Sequence, residues 1–135
     1  MNARCVAVVD DEAPVRVALG RLLRLAGYRV QAFASGEAFL DSLALGVPDC
    51  VLLDVHLPVL SGPQVYARLR ESDFALPVVF ITASDDADVG RGAADAGAVR
   101  VLRKPFSNEH LLEAVQTALK SKAAELRGII GKAAD

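Results

Sequence analysis

Tryptophan is absent from this 135-residue chain, aromatic residues make up only 5% of it, and there are two cysteines. With so few rings, any core has to be built from aliphatic side chains. Cys5 and Cys50 each begin an apolar run and lack neighbours at metal-ligand spacing. That excludes a disulfide scaffold and a zinc module, and it points to buried, reduced thiols in a cytoplasmic protein. Long hydrophobic runs are missing too, since none reaches the eighteen or so apolar residues of a membrane span. Met1-Asn2-Ala3-Arg4 does not lead into a signal peptide, because Asp10, Asp11 and Glu12 interrupt the apolar stretch too soon. Positive charge is not in excess: the formal net charge is −2. A broadly cationic nucleic-acid surface is therefore excluded, though a local basic patch is not. Internal repeats and low-complexity segments are absent as well, and no linker precedes roughly residue 120. At this length the chain reads as one domain with a sizeable core.

What is present is an alternation of two hydrophobic periods. Arg4 to Val9 is a short β-branched run that ends at Asp10-Asp11-Glu12. Pro14 suits a first helical turn, and Val15, Leu19, Leu22, Leu23 and Ala26 repeat at helical spacing until Gly27. Tyr28 to Phe33 alternates as a more exposed edge strand would. Ser35 can cap a helix through Phe39, Leu40 and Leu43 to Gly46. The run Cys50-Val51-Leu52-Leu53 stops at Asp54, with Pro58 and Ser61-Gly62 close behind. A helix from about Pro63 to Glu71 follows, then the run Val78 to Ile81 ending at Thr82. A weak helix interrupted by Gly90 and Gly92 leads through Ala96-Gly97-Ala98 to a strand from Val99 to Leu102. Lys104-Pro105 closes that strand, and Ser107 caps a last helix carrying Leu111, Val115 and Leu119. Five β-α units with helical crossovers predict an α/β fold with a parallel sheet covered on both faces and right-handed connections.

Asp54 by itself has two readings, a cap for the next helix or a ligand site at a strand end. The other strand ends decide between them. The first strand ends at Asp10-Asp11, the third at Asp54, the fourth at Thr82 and the fifth at Lys104, with no such residues at the opposite ends. In a parallel sheet all C-terminal ends lie along one edge, where open α/β sheets bind their ligands. Carboxylates gathered there repel one another unless a cation sits among them. Oxygen ligands with open positions suit Mg²⁺, which keeps waters and shares its coordination with a phosphate. Lys104 offers a mobile point charge and Thr82 a hydroxyl, both suited to an incoming phosphoryl group.

Asp10-Asp11-Glu12, Asp54-x-x-x-Pro58-x-x-Ser61-Gly62, Thr82-Ala83, Ala96-Gly97-Ala98 and Lys104-Pro105-Phe106 together resemble the receiver domain of bacterial two-component response regulators. The resemblance runs from about Cys5 to Leu119. It implies a flavodoxin-like, doubly wound (βα)5 three-layer sandwich with strand order 2-1-3-4-5, an order that general rules for such folds give for a receiver. It implies that Asp54 is the phosphoacceptor, accepting a phosphoryl group from a histidine kinase or phosphotransfer protein. By the same resemblance Asp11, Asp54 and the backbone carbonyl of His56 would ligate Mg²⁺, with Asp10 acting largely through a bound water. Thr82 and Ala83 would contact the phosphoryl group, Lys104 would pair with it, and the Lys104-Pro105 bond would be cis. The His56 side chain is expected at the solvent rim.

Two departures from the family pattern stand out. The position three residues before the lysine is usually aromatic and turns inward as the threonine shifts. Here it is Val101, so that rotamer switch cannot operate. In the fourth helical segment Gly90 and Gly92 each cost about 1 kcal/mol relative to alanine. Residues 85–97 are accordingly expected to be ordered by phosphorylation through Thr82. Val15 and Ala18 on the first helix, with Pro105 and Phe106, form the docking face that the resemblance implies for the phosphodonor protein; Phe106 reads equally as core. The stripe Leu119, Ala123, Leu126, Ile130 extends the last helix past the expected receiver boundary (residues 1–122, with 123–135 an extension or tail). A homodimer through the fourth-helix, fifth-strand and fifth-helix face is a further expectation, whereas direct nucleic-acid binding and membrane association are not expected. The rival readings are a Mg²⁺-dependent aspartyl phosphatase or phosphotransferase, and a degenerate receiver that binds partners without phosphorylation. An aspartyl enzyme usually has its nucleophile on the first strand with a second carboxylate two residues on. Here the residue two beyond Asp54 is His56, and the complete set of acids, hydroxyl and lysine argues against degeneracy.

Overall fold

The computed structural model describes residues 3–72, 74, 76–83 and 100–134, with side chains up to residue 121. In chain order its elements are β1 (Cys5–Val9), α1 (Ala13–Leu25), β2 (Arg29–Phe33), α2 (Gly36–Ser42), β3 (Cys50–Asp54), α3 (Gly62–Glu71), β4 (Val78–Thr82), β5 (Arg100–Arg103) and α4 (Asn108–Ala134). The five strands pair in parallel in the order β2-β1-β3-β4-β5, the doubly wound order expected. The expected Gly90–Gly92 helix and Ala96-Gly97-Ala98 fall in residues 84–99, outside the described residues.

Burial explains which run became which strand. Every residue of β1, β3 and β4 is buried, as befits central strands covered on both faces. β2 and β5 form the two edges and keep part of their surface in water. The period of two then divides the core into halves. Val6, Val8, Leu52, Val79, Ile81 and Leu102 face α1 and α4, meeting Leu19, Leu23, Leu111 and Val115. Ala7, Val9, Val51, Leu53, Val78 and Phe80 face α2 and α3, meeting Phe39, Val65 and Leu69. The scarce rings concentrate on this second side, where Phe33 packs edge-on against Phe39 at 5.6 Å and Tyr66 tilts against Phe80 at 5.7 Å. Cys5 and Cys50 are both buried, as the sequence suggested.

The helix ends follow local chemistry. Pro14 sits in the first turn of α1, and Gly27, at φ 98°, ends it in the left-handed region that favours glycine. Ser35 caps α2 through a 3.1 Å bond from the Ala38 N–H. That helix stops at Ser42 instead of reaching Gly46. The N–H groups of Leu43, Leu45 and Gly46 each bond three residues back, and these tighter turns carry the chain away from the helix. Ser107 Oγ accepts from the His110 N–H at 3.0 Å and starts α4, as expected. That helix runs unbroken from Asn108 to Ala134.

One sequence reading needs correction. The N-terminal edge of the sheet also carries a working carboxylate. Asp49, just before β3, accepts from the Cys5 N–H at 2.7 Å and returns its own N–H to the Cys5 carbonyl at 2.8 Å. There the carboxylate supplies a partner to a backbone donor at the start of β1, which is a structural task.

Candidate functional site

Each central strand keeps its apolar character until the sheet ends, and the chain then becomes polar. Asp10, Asp54 and Thr82 are the only buried polar or charged residues among the described residues, and all three stand at that one edge. Asp10, Asp11 and Asp54 each offer a carboxylate oxygen within 4.8 Å of the others. Asp11 is exposed, which leaves one side of the cluster open to solvent.

The backbone holds the two buried acids from the residues that follow them. The Glu12 N–H donates to Asp10 Oδ1 at 2.8 Å, and the His56 N–H donates to Asp54 Oδ1 at 3.0 Å. Both are side-chain turns of the kind aspartate makes to an N–H two residues on. Lys104 Nζ lies 3.5 Å from Asp10 Oδ2, near enough for charge attraction. That oxygen is buried and has no hydrogen-bond partner, an arrangement costly to leave unmet. Burial pushes the Asp54 carboxyl above the usual carboxylate range. The His56 N–H opposes that shift, Asp10 adds to it, Lys104 opposes it and Asp11 adds to it. A buried oxygen without a donor, among three acids of which one resists ionising, fits a hard cation with oxygen ligands.

The loops around the cluster are tied to it by backbone contacts. The Lys104 N–H donates to the Thr82 carbonyl at 2.8 Å, and the Val55 N–H donates to the Ile81 carbonyl at 2.9 Å. The ends of β3, β4 and β5 are thereby joined through β4. The Lys104-Pro105 peptide is cis, as the resemblance implied. Gly62 donates to the Val55 carbonyl at 3.0 Å and opens α3 directly against the end of β3. A Cβ at that position would collide with the Asp54 carbonyl and the Val55 Cα, so only glycine fits. Ser61 and Gln64 form a reciprocal capping box at the same helix start, with bonds of 3.3 and 2.9 Å. Between them and Asp54, Val59 adopts φ 66°, an uncommon setting for a β-branched residue.

The structure gathers the expected residues unevenly. Asp10, Asp11 and Asp54 converge, and Lys104 joins them through Asp10. Thr82 is buried at the end of β4, Ala83 follows it exposed, and the His56 side chain faces solvent. Val101 is half-buried and packs on the α2–α3 side of the core. Val15, Ala18, Pro105 and Phe106 line one groove between α1 and the loop after β5, and Lys104 lines it too. Phe106 also packs against the α1–α4 side of the core, as its core reading has it. Sequence reasoning overlooked Arg16, whose guanidinium reaches the Asp10 carbonyl at 2.7 Å. It also overlooked the capping box, although Ser61-x-x-Gln64 is a recognisable signal.

The Response regulator receiver domain family matches residues 6–116 of this chain. The transcriptional regulatory protein TdiR of Thauera aromatica is 43% identical over 118 residues, covering 87% of this chain and 52% of that protein. Response regulator MprA of Mycolicibacterium vanbaalenii is 39% identical over 115 residues, covering 85% and 50%. Among solved structures, response regulator StyR superposes with a TM-score of 0.87 at 34% identity, over 97% of this chain and 66% of that one. The crystal structure of FixJ-N superposes with a TM-score of 0.83 at 32% identity, over 89% of this chain and 96% of that one. The chain belongs to this family and is a receiver domain of two-component response regulators. Such domains are signalling modules that interact with histidine kinases and typically bind Mg²⁺ at an acidic cluster. The chain spans about half the length of the curated relatives it matches. No helix among the described residues is long and apolar enough to cross a membrane.

Proposed function

We propose that Asp54 is the phosphoacceptor of this receiver, taking a phosphoryl group from a phosphohistidine on a histidine kinase or phosphotransfer protein. The observation that carries the proposal is the position of Asp54, buried at the end of β3 with Asp10 and Asp11 within 4.8 Å. An Asp54 carboxylate oxygen attacks phosphorus, the P–N bond breaks, and the imidazole leaves with its electron pair. The product is an aspartyl phosphate. Phosphoryl transfer asks mainly for positioning and for charge neutralisation on the transferred oxygens. Asp10, Asp11, Asp54 and the His56 carbonyl would hold Mg²⁺, which when bound neutralises that charge. Lys104, paired with Asp10 at 3.5 Å, can pair with the phosphoryl group instead, and Thr82 and Ala83 lie beside it on the end of β4. The phosphodonor protein docks along the groove of Val15, Ala18, Pro105 and Phe106, which adjoins Lys104. The Val101 departure removes the aromatic rotamer from the relay to the output. A homodimer through the fourth-helix, β5 and α4 face would involve residues 84–99, which lie outside the described residues. Transcriptional output of the kind TdiR is named for belongs, in this reading, to a further segment and not to direct nucleic-acid contact by these residues.

Acetyl phosphate with Mg²⁺ tests the assignment. The expected result is a single hydroxylamine-labile phosphate per chain, absent in Asp54→Asn and absent when a chelator removes the metal. Label that persists in Asp54→Asn would move the acceptor elsewhere. Rapid turnover of many phosphoesters would favour an aspartyl enzyme, and no label in the native chain a degenerate receiver. A bulky residue at Ala18 should slow transfer from the partner protein while leaving acetyl phosphate labelling unchanged.

A further inference from the structure

Asp10 is fixed at more points than its position in a turn requires. Its N–H donates to the Phe33 carbonyl at 3.1 Å, which continues the β1–β2 ladder one residue past the strands. Its Oδ1 accepts from the Glu12 N–H at 2.8 Å. Its carbonyl is met from the side by a guanidinium nitrogen of Arg16 at 2.7 Å. The residue four positions on, where a helical turn would supply a backbone donor, is Pro14, which has no N–H. The N-cap residue of α1, Glu12, makes no side-chain capping bond, so this end of the helix is held by other means. Arg16 begins one turn into α1, its own N–H bonded to the Glu12 carbonyl at 3.1 Å, and its side chain is half-buried. It therefore joins α1 to the end of β1 at the acidic residue itself. With N–H, carbonyl and Oδ1 all engaged, Oδ2 is the one Asp10 atom left without a hydrogen bond, and it is buried.

We infer that Arg16 is a positioning residue for the metal site, acting through the Asp10 carbonyl to hold the Asp10-Asp11 turn and present Asp10 Oδ2 to the cation. The inference rests on the reading of Asp10, Asp11 and Asp54 as the Mg²⁺ site. The mechanism is the general one by which partners outside the ligand set orient the ligands, and whose loss weakens metal affinity. Charge alone would predict the opposite sign. Removing a cation from beside three carboxylates should raise Mg²⁺ affinity, whereas removing a positioning bond should lower it. The sign of the effect thus separates the two roles.

The test is calorimetric titration of the 135-residue chain with Mg²⁺ alone, for the native sequence, Arg16→Met, Arg16→Lys and Asp54→Asn, with a thermal melt of each in chelator. Arg16→Met keeps the apolar stem without a donor, and Arg16→Lys keeps a donor and the charge. The expected result is Mg²⁺ binding about tenfold weaker in Arg16→Met, the lower end of what ligand-orienting partners contribute, with much of the loss recovered in Arg16→Lys. Native or tighter binding in Arg16→Met overturns the inference and leaves the metal site standing. So does a lowered melting temperature in Arg16→Met with weakened binding that Arg16→Lys fails to recover, since that marks a general packing role. Should the native chain take up no Mg²⁺, or Asp54→Asn bind as the native chain does, the site reading itself fails and the inference goes with it. If Arg16→Met does not fold, Arg16→Gln takes its place as the uncharged variant of shorter reach, a native melt with weaker Mg²⁺ binding supporting positioning and native or tighter binding overturning it.

Discussion

Two aspartates stand five residues apart at the two ends of one strand, and they do opposite things. Asp49 enters β3 and closes a two-way exchange with Cys5, its carboxylate taking an N–H that β1 would otherwise leave unmatched. Asp54 leaves β3 buried, beside Asp10 and Asp11, with burial pushing its carboxyl above the usual range. The first carboxylate adds a bond to the sheet. The second is kept in a setting that disfavours its own charge, and only a cation or a protonation step relieves it. A strand can thus be stabilised at one end and held in tension at the other, and chemistry belongs to the end under tension.

The sharpest way to break this contrast is at Gly62. Its missing side chain lets α3 press against the Asp54 carbonyl, so Gly62→Ala must push backbone from backbone with no flexible tip to yield. The expected cost is about 3 kcal/mol, at the upper end of overpacking in a tight site. Urea unfolding would measure it, and a loss under 1 kcal/mol would mean that the loop adjusts easily, contrary to the geometry. Acetyl phosphate labelling should fall in the same variant, because the displaced atom is the carbonyl of Asp54, the proposed acceptor.

At the other end, Asp49→Ala should cost about 1.5 kcal/mol, the range for a hydrogen bond to a charged group whose partner is then left unmet. Labelling at Asp54 should stay native. Chemical denaturation paired with the labelling rate reads both at once, and a large fall in rate at native stability would show that the two ends are coupled.

How far this contrast was readable in the sequence depends on which forces set it. The strands were legible because central parallel strands are buried on both faces, and Val51-Leu52-Leu53 and Val78 to Ile81 allow few other readings. The site was legible because carboxylates, a hydroxyl and a lysine at strand ends are carried to one edge by topology alone. Asp49 was misjudged because a residue type does not say whether a backbone donor stands opposite it on another strand. Arg16 was missed for a similar reason: its partner is a carbonyl, and carbonyls are the same at every residue. The early end of α2 turned on three-residue hydrogen bonds from Leu43 to Gly46, which periodicity does not register. Pairwise contacts to the backbone are what the one-dimensional pattern carries least.

The smallest expected effect concerns the strain at Asp54 itself, and it has a sign. A carboxyl whose pKa is raised on folding favours the folded state in its protonated form. Its contribution to stability is present below the unfolded carboxylate range and is lost as pH rises through the raised folded value. At neutral pH in a chelator, ionised Asp54 should therefore be a net cost, and Asp54→Asn should melt a few degrees higher than the native chain. As pH falls through the raised value toward the ordinary carboxylate range, the native residue takes up its proton and the two melting curves should converge. Asp49→Asn offers the control, because that carboxylate accepts from Cys5 and should lose stability at neutral pH. Melts of the three chains across that pH span measure the effect. An Asp54→Asn variant less stable than the native chain at neutral pH would mean that Lys104 and the His56 N–H outweigh burial, and that both ends of β3 are stabilised alike.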